Sequence, residues 1–432
     1  MNHSLRIAFI CLIFFISALF SSMMEVSVAK EVGLKEDIVE VTKLLIQEST
    51  DKIAYLAEKL QQCKAMGQDI TYPDAALAVA ELFIEFSQHD IEEYELRETA
   101  LRSMRYVSRM LDAAIAESDK VLSGEASYPD IPDWDVIGLQ IRDGGFWSGD
   151  EPVFLTGFNW DSDVAGEKPK LLKRLGVNLV DGMFWGEMLS MTEFSDRRFH
   201  EHDRPYLEQM KRENFAIDLM LASAPPDWMF EKYPDLRDPS AGHYTDYAID
   251  HPALPEVRRR FINHYAPLYG AQKAVLSVDL FNEPAFLKPS KFSIINWQKW
   301  LKDRYGSIEE LNRTWGSHLE SFESITHPPG TPDATLRLSN PWEQAPIEWD
   351  KPGVRGMHYD WCVFNKERVT QFFREFHERI KANAPRLVTH VKIMMGGYFT
   401  GSTEQRGWRM DVSYNRQGID AQALSEMCTL LG

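Results

Sequence analysis

The sequence predicts an α/β protein, a parallel sheet with helices outside it, preceded by a small helical domain. Three observations predict this. Residues 31 to about 125 place apolar side chains at three- and four-residue spacing. Beyond residue 150, short apolar runs alternate with helical stretches, the rhythm of repeated βα units. All twelve tryptophans lie beyond residue 130, so composition shifts where the rhythm does.

The first 29 residues have the three-part plan of a secretory signal. Arg6 supplies the positive charge, Ile7 to Phe20 is apolar over 14 residues, and Ser27-Val28-Ala29 offers small residues for cleavage after Ala29. The run falls short of the roughly 20 residues of a membrane span. A secreted or periplasmic protein is expected, with no membrane segment after cleavage; an uncleaved anchor is the alternative. The helical domain, 30–125, follows. Its apolar row runs through Ile38, Val41, Leu44 and Leu45, then Leu56 and Leu60. Tyr72-Pro73-Asp74 reads as a helix start, and a third helix runs from about Glu92 to Leu122. Nothing there indicates chemistry, and a scaffold role is expected. Ser127 to Asp133, with Pro129 and Pro132, marks a boundary, so 126–150 reads as linker and lead-in.

In the main domain, 151–432, Val153–Gly157 is the first strand. Pro169 opens a helix and Gly176 closes it. Val177–Val180 is strand two, and Pro205 opens the helix before strand three, Ala216–Leu221. Pro255 opens the next helix, before strand four, Ala274–Phe281. An insertion at about 287–356 contains helices, one with a capping box at Ser307 and Glu310. A helix from Asp360 to Asn383 leads to strand five, Val388–Met394, and a short helix lies at about 422–431.

Parallel α/β folds gather their chemistry at the carboxyl ends of strands. Here those ends read Asn159-Trp160, Trp185, Trp228, Asn282-Glu283-Pro284 and Tyr398. Aromatic faces beside amides and a carboxylate suit a sugar, whose ring has an apolar face and a rim of hydroxyls. Core packing is the competing reading for each tryptophan taken singly. A glutamate in an aromatic pocket is partly desolvated, so its pKa is expected to rise toward neutrality and suit it to protonate a glycosidic oxygen. Asn282 is the candidate partner for a neighbouring sugar hydroxyl. Asn159, Trp160, Trp185, Trp228 and His390 are candidate sugar contacts. His390 lies mid-strand, where a satisfied core histidine is equally in view.

The net charge of −18 speaks against nucleic acid. No Gly-rich turn follows a strand, so no dinucleotide cofactor is expected. Cys63, Cys362 and Cys428 form no metal-ligand spacing, so no metal is expected, and at most one disulfide is possible among them.

Asn282-Glu283-Pro284 at the end of a fourth strand resembles the retaining glycoside hydrolases of clan A, which are (β/α)8 barrels. Three stretches are similar to glycoside hydrolase family 42, the β-galactosidase group: Pro225 to Pro234, Tyr305-Gly…Leu311-Asn…Trp315-Gly, and Tyr359-Asp360-Trp361. The resemblance implies a (β/α)8 TIM barrel, Glu283 as general acid/base and Asn282 as sugar-hydroxyl partner. It also implies a nucleophilic Glu at the end of a seventh strand. That family usually has Tyr after Asn-Glu, whereas this chain has Pro284, and the zinc cysteines of some members are absent. About five strands are legible, so the sequence reads as a C-terminally truncated barrel that folds poorly alone. Glu404 is the one late loop Glu able to stand in as nucleophile. The expected function is a secreted retaining glycosidase, β-galactosidase-like. An endo-acting glycanase on mannan, cellulose or algal galactan and a non-catalytic carbohydrate-binding barrel are the rivals.

Overall fold

A computed structural model describes residues 38–158, 168–184, 186–221, 224–242, 244–286, 288–331, 347–393 and 417–428. The signal-like segment, Asn159, Trp160, Trp185, Glu404 and the Gly396-Gly397-Tyr398 strand end lie outside them. The chain divides into two compact units, Met1–Pro132 and Asp133–Gly432.

The first unit is three helices, Ile38–Ala65, Thr71–Asp90 and Arg97–Leu122. The buried row of the first helix is Thr42, Ile46, Ser49, Leu56, Leu60 and Cys63, spaced by threes and fours. It packs on Met104, Val107 and Leu111 of the third. The sequence-predicted row included Leu44, which is 69% exposed. Small Thr42 and Ser49 take the buried stripe instead, where the helices approach closely. Lys52 pairs with Glu48 on its own helix and crosses to Asp112 on the third, both at 2.6 Å.

The second unit opens with a three-stranded antiparallel sheet, β1 (Gln140–Arg142), β2 (Gly145–Ser148) and β3 (Glu151–Val153). The sequence reading made this a lead-in and placed the first strand at Val153. The correction has a local cause. Asp143-Gly144 turns β1 into β2 with both residues at positive φ, 53° and 74°, the backbone a two-residue hairpin needs.

Among the described residues, the parallel sheet that follows has five strands in sequential order: β4 (Gly157–Phe158), β5 (Leu179–Phe184), β8 (Ala216–Leu221), β11 (Val275–Asn282) and β12 (Val388–Lys392). All neighbours pair parallel, with helices in the crossovers. These correspond to the five predicted strands, the first displaced from Val153 to Gly157. Two short antiparallel pairs were not foreseen: β6 (Glu187–Met188) with β7 (Phe194–Ser195), and β9 (Arg237–Gly242) with β10 (Thr245–Tyr247). They hang on the loops after β5 and β8; β6 and β7 are two residues each, too short to show a pattern, and the Arg237–Gly242 strand is polar with no alternation to read.

β11 is buried along its length until Asn282. Its apolar side chains join Leu219, Phe286, Phe373 and Val391 in the main core. The helix Leu254–Gly270 starts with Pro255 in its first turn, as predicted. The described part of the insertion includes the α-helices Lys291–Tyr305 and Ile308–Trp315. The reciprocal capping box lies at Ser290 and Ser293, one helix earlier than predicted. Ser307 does cap the second helix by accepting from the Glu310 N–H, but the Glu310 carboxylate turns to Arg313. The long helix runs Val354–Asn383 and a last short one Ala421–Met427. Cys63, Cys362 and Cys428 are buried and form no disulfide with one another. Among the described residues no helix is long and apolar enough to cross a membrane, and no cluster could hold a metal ion.

Candidate active site

Asn282 is the last residue of β11, and Glu283 and Pro284 follow at its carboxyl end. Both Asn282 and Glu283 are half-buried, whereas the seven residues before them are buried. Glu283 has φ +50°, a left-handed backbone that a non-glycine residue adopts at a cost of order 1–3 kcal/mol. The cause is visible in the register. Asp279 pairs with His390 and Asn282 with Lys392, so three steps along β11 match two along β12. One residue is extra, and the strand bulges immediately before Glu283. The Glu283 N–H still reaches β12, donating to the Lys392 carbonyl at 2.7 Å. Beyond the turn, the Phe286 N–H donates to the Gln417 carbonyl at 2.9 Å. The Phe286 carbonyl accepts from Asn365 Nδ2 at 2.9 Å.

Beneath this strand end lies a buried charge network. Four strands contribute to it: Asp181 from β5, Asp218 from β8, Ser277 and Asp279 from β11, His390 and Lys392 from β12. The register aligns them, with Asp181 opposite Asp218 and Asp218 opposite Ser277. Lys392 Nζ lies 3.0 Å from Asp218, 3.5 Å from Asp181 and 3.6 Å from Asp279. His390 Nε2 lies 2.8 Å from Asp218 Oδ1, which also accepts from Ser277 Oγ at 2.7 Å. Burial opposes ionisation of every member, and the neighbours decide who stays charged. For Asp218, burial is outweighed by His390 and Lys392, which hold it well below the usual carboxylate range. For Asp279, burial wins, and its carboxyl is pushed up to about 6. Burial likewise raises Asp181 against the pull of Lys392. His390 and Lys392 are both driven up, because the surrounding carboxylates outweigh their own desolvation.

The structure therefore brings Asn282, Glu283, His390 and Lys392 together on two adjacent strands. His390 is 7% exposed and engaged by Asp218. It belongs to the internal network, the satisfied histidine that the sequence also held in view. Trp228 stands at the start of the helix Asp227–Lys232, half-buried, with Nε1 donating to the Met188 carbonyl at 2.8 Å. Its ring packs against the main core. The sequence reading missed Asp181, Asp218, Asp279 and Lys392. A signal was present: each of the four longer strands, β5, β8, β11 and β12, is interrupted by an ionisable residue, and parallel strands in register stack such interruptions.

The family-like stretches have a different destination. Tyr305 Oη and Trp315 Nε1 donate to the same oxygen of buried Asp360, at 2.6 and 2.8 Å. Asn312 Oδ1 accepts from Ser317 Oγ and the Leu319 N–H, at 2.7 and 2.8 Å. These residues close the insertion on itself and tie it to the long helix at Asp360.

A parallel βα sheet with a bulged Asn-Glu at the end of its fourth strand defines a protein of the clan A glycosidase type. The model of glycoside hydrolase family 42, described as beta-galactosidase, matches residues 156–417. The chain belongs to that family. Beta-galactosidase YesZ of Bacillus licheniformis is 27% identical over 257 residues, 55% of this chain and 35% of the relative. Beta-galactosidase BgaB of a Geobacillus species is 31% identical over 174 residues, 37% of this chain and 25% of that protein. The chain thus spans about a third or less of the length of these relatives. Among solved structures, an apo exo-carrageenase of the same family from Bacteroides ovatus superposes with a TM-score of 0.68 at 21% identity. That match covers 90% of this chain and 52% of the other, and it is a likeness of fold.

Proposed function

We propose that this chain acts in a secreted, retaining, β-galactosidase-like glycoside hydrolase, with Glu283 as general acid/base and a carbohydrate as its substrate. The observation that carries the proposal is the bulge that ends the fourth strand in Asn282-Glu283 with Glu283 in the left-handed region. Strained backbone of this kind persists where the surroundings over-determine it, and it clusters at catalytic positions. Family membership supports the reading, and we take the five parallel strands as belonging to a (β/α)8 barrel. Glu283 protonates the leaving oxygen as the bond to the anomeric carbon breaks; in the second step it takes a proton from water. Asn282 donates to the hydroxyl beside the reacting carbon. The nucleophile is a second carboxylate about 5 Å away, as retention requires.

Glu283→Gln tests the assignment. Hydrolysis of p-nitrophenyl β-D-galactopyranoside is expected to fall by about 10²–10⁴-fold, with the affinity for galactose changed little. An unchanged rate overturns it. Pro284, where the β-galactosidase group usually has tyrosine, favours a second reading, a glycanase acting on polymers. Product lengths from a galactan or mannan separate the two: single sugars support the first, oligosaccharides the second. For localisation, we propose that the N-terminal segment is a cleaved signal. Export with a new N-terminus at Lys30 supports this, and retention of Met1 in the exported protein opposes it.

A further inference from the structure

The bulge before Glu283 costs the β11–β12 ladder its regular pairing, and one side chain fills the gap. Asp279 Oδ1 accepts from the Phe281 N–H at 3.1 Å and from the Lys392 N–H at 3.3 Å. One donor lies on its own strand and the other on the neighbour, on either side of the extra residue. The next bond along is the one from the Glu283 N–H to the Lys392 carbonyl. The same carboxylate therefore stitches both backbones at the site of the irregularity, and Lys392 is held at its N–H by Asp279 and at its carbonyl by Glu283. Asp279 is fully buried, where an unpaired backbone N–H would be costly. Its second oxygen makes no hydrogen bond and faces the Lys392 ammonium at 3.6 Å.

We propose that Asp279 is a positioning residue for Glu283. Its carboxylate substitutes for the ladder bonds lost at the bulge, and so fixes the left-handed backbone from which the acid/base side chain departs. Lys392 supports the same stitch from β12. The inference deepens the functional reading above and rests on it for its kinetic consequence, though its structural half stands alone.

The test compares Asp279→Asn with the wild-type full chain, since the amide keeps the shape and one acceptor oxygen. The first readout is amide hydrogen exchange. Exchange of the amides of residues 281–283 and 392 is expected to speed up by roughly tenfold or more, with the helix Val354–Asn383 unchanged. The second is leaving-group dependence of kcat/KM. Phenyl β-D-galactopyranoside needs a proton delivered to its oxygen, whereas 2,4-dinitrophenyl β-D-galactopyranoside does not. A misplaced acid is expected to cost the phenyl substrate about 10²-fold and the dinitrophenyl substrate far less. Equal losses on both substrates mean general damage and overturn the proposal. Unchanged exchange at 281–283 overturns it as well. If the wild-type chain hydrolyses neither substrate, the functional reading fails, and the exchange result alone decides the positioning claim. If Asp279→Asn does not fold, Lys392→Met takes its place. Local loss of protection at 281–283 then supports the stitch, and its retention contradicts it.

Discussion

Two buried aspartates, Asp360 on the long helix facing the insertion and Asp279 under the strand end, show what separates a packing site from the proposed chemical one. Asp360 accepts from Tyr305 and Trp315 and lies 3.5 Å from Arg304, all within one helical subcluster. Its neighbours Trp297, Trp315 and Trp361 are buried, and no strained backbone is involved. Asp279 instead binds two backbone N–H groups across an irregular strand pair, beside a left-handed glutamate. The longest family-like motif in the sequence thus serves packing, whereas the three-residue motif ends a strand in left-handed, half-buried backbone. That strain and exposure at a strand end, more than the length of a motif, support the chemical role proposed for Glu283.

The largest effect that would sharpen this contrast is Glu283→Gln. Activity is expected to fall by about 10²–10⁴-fold, near 3–5 kcal/mol of transition-state stabilisation, while thermal stability changes little. A large loss of stability would place Glu283 with Asp360 and break the comparison. Asp360→Ala is expected to do the opposite. It leaves a tyrosine O–H and an indole N–H without their acceptor, at about 2–4 kcal/mol. Denaturant melts should show the loss, and the pH profile of hydrolysis should keep its shape. Trp228→Phe removes one N–H bond to the Met188 carbonyl and should cost about 1 kcal/mol, read from the same melts. A change in KM far beyond that stability cost would return Trp228 to the sugar site.

The smallest expected effect is the pH-dependent part of His390. Its folded pKa lies above the ordinary 6.5, burial being outweighed by Asp218 and Asp279. The stability it contributes is therefore complete below pH 6.5 and is lost as pH rises through the raised folded value. The melting gap between wild type and His390→Gln should narrow from pH 6 to pH 9. A gap that widens over that range contradicts the charge assignment in the network.

Much of this was legible in the sequence. The five strands could be read because each is an apolar run bounded by Pro, Gly or Asn, as in Asn214-Phe215-Ala216 and Gly176-Val177. The Asn282-Glu283 strand end could be read because a carboxylate abruptly follows eight mostly apolar residues. The hairpin at Asp143-Gly144 carried a strong signal that was read as linker. What could not be read is register. The bulge between Asp279 and Asn282 exists only relative to β12, more than a hundred residues away. Without it Asp279 is one polar residue in a strand, and nothing ties His390 to Asp218. Register also turns Asp181, Asp218 and Lys392 from isolated charges into one network.

The most direct measurement of the central claim is azide rescue of Glu283→Ala on 2,4-dinitrophenyl β-D-galactopyranoside. This substrate needs no acid to leave, so the variant should accumulate a glycosyl-enzyme that lacks its base for water. The account predicts that azide, which needs no base, accelerates turnover and yields the β-galactosyl azide. Water-limited turnover that azide leaves unchanged, or an α-azide product, would contradict Glu283 as the acid/base of a retaining enzyme.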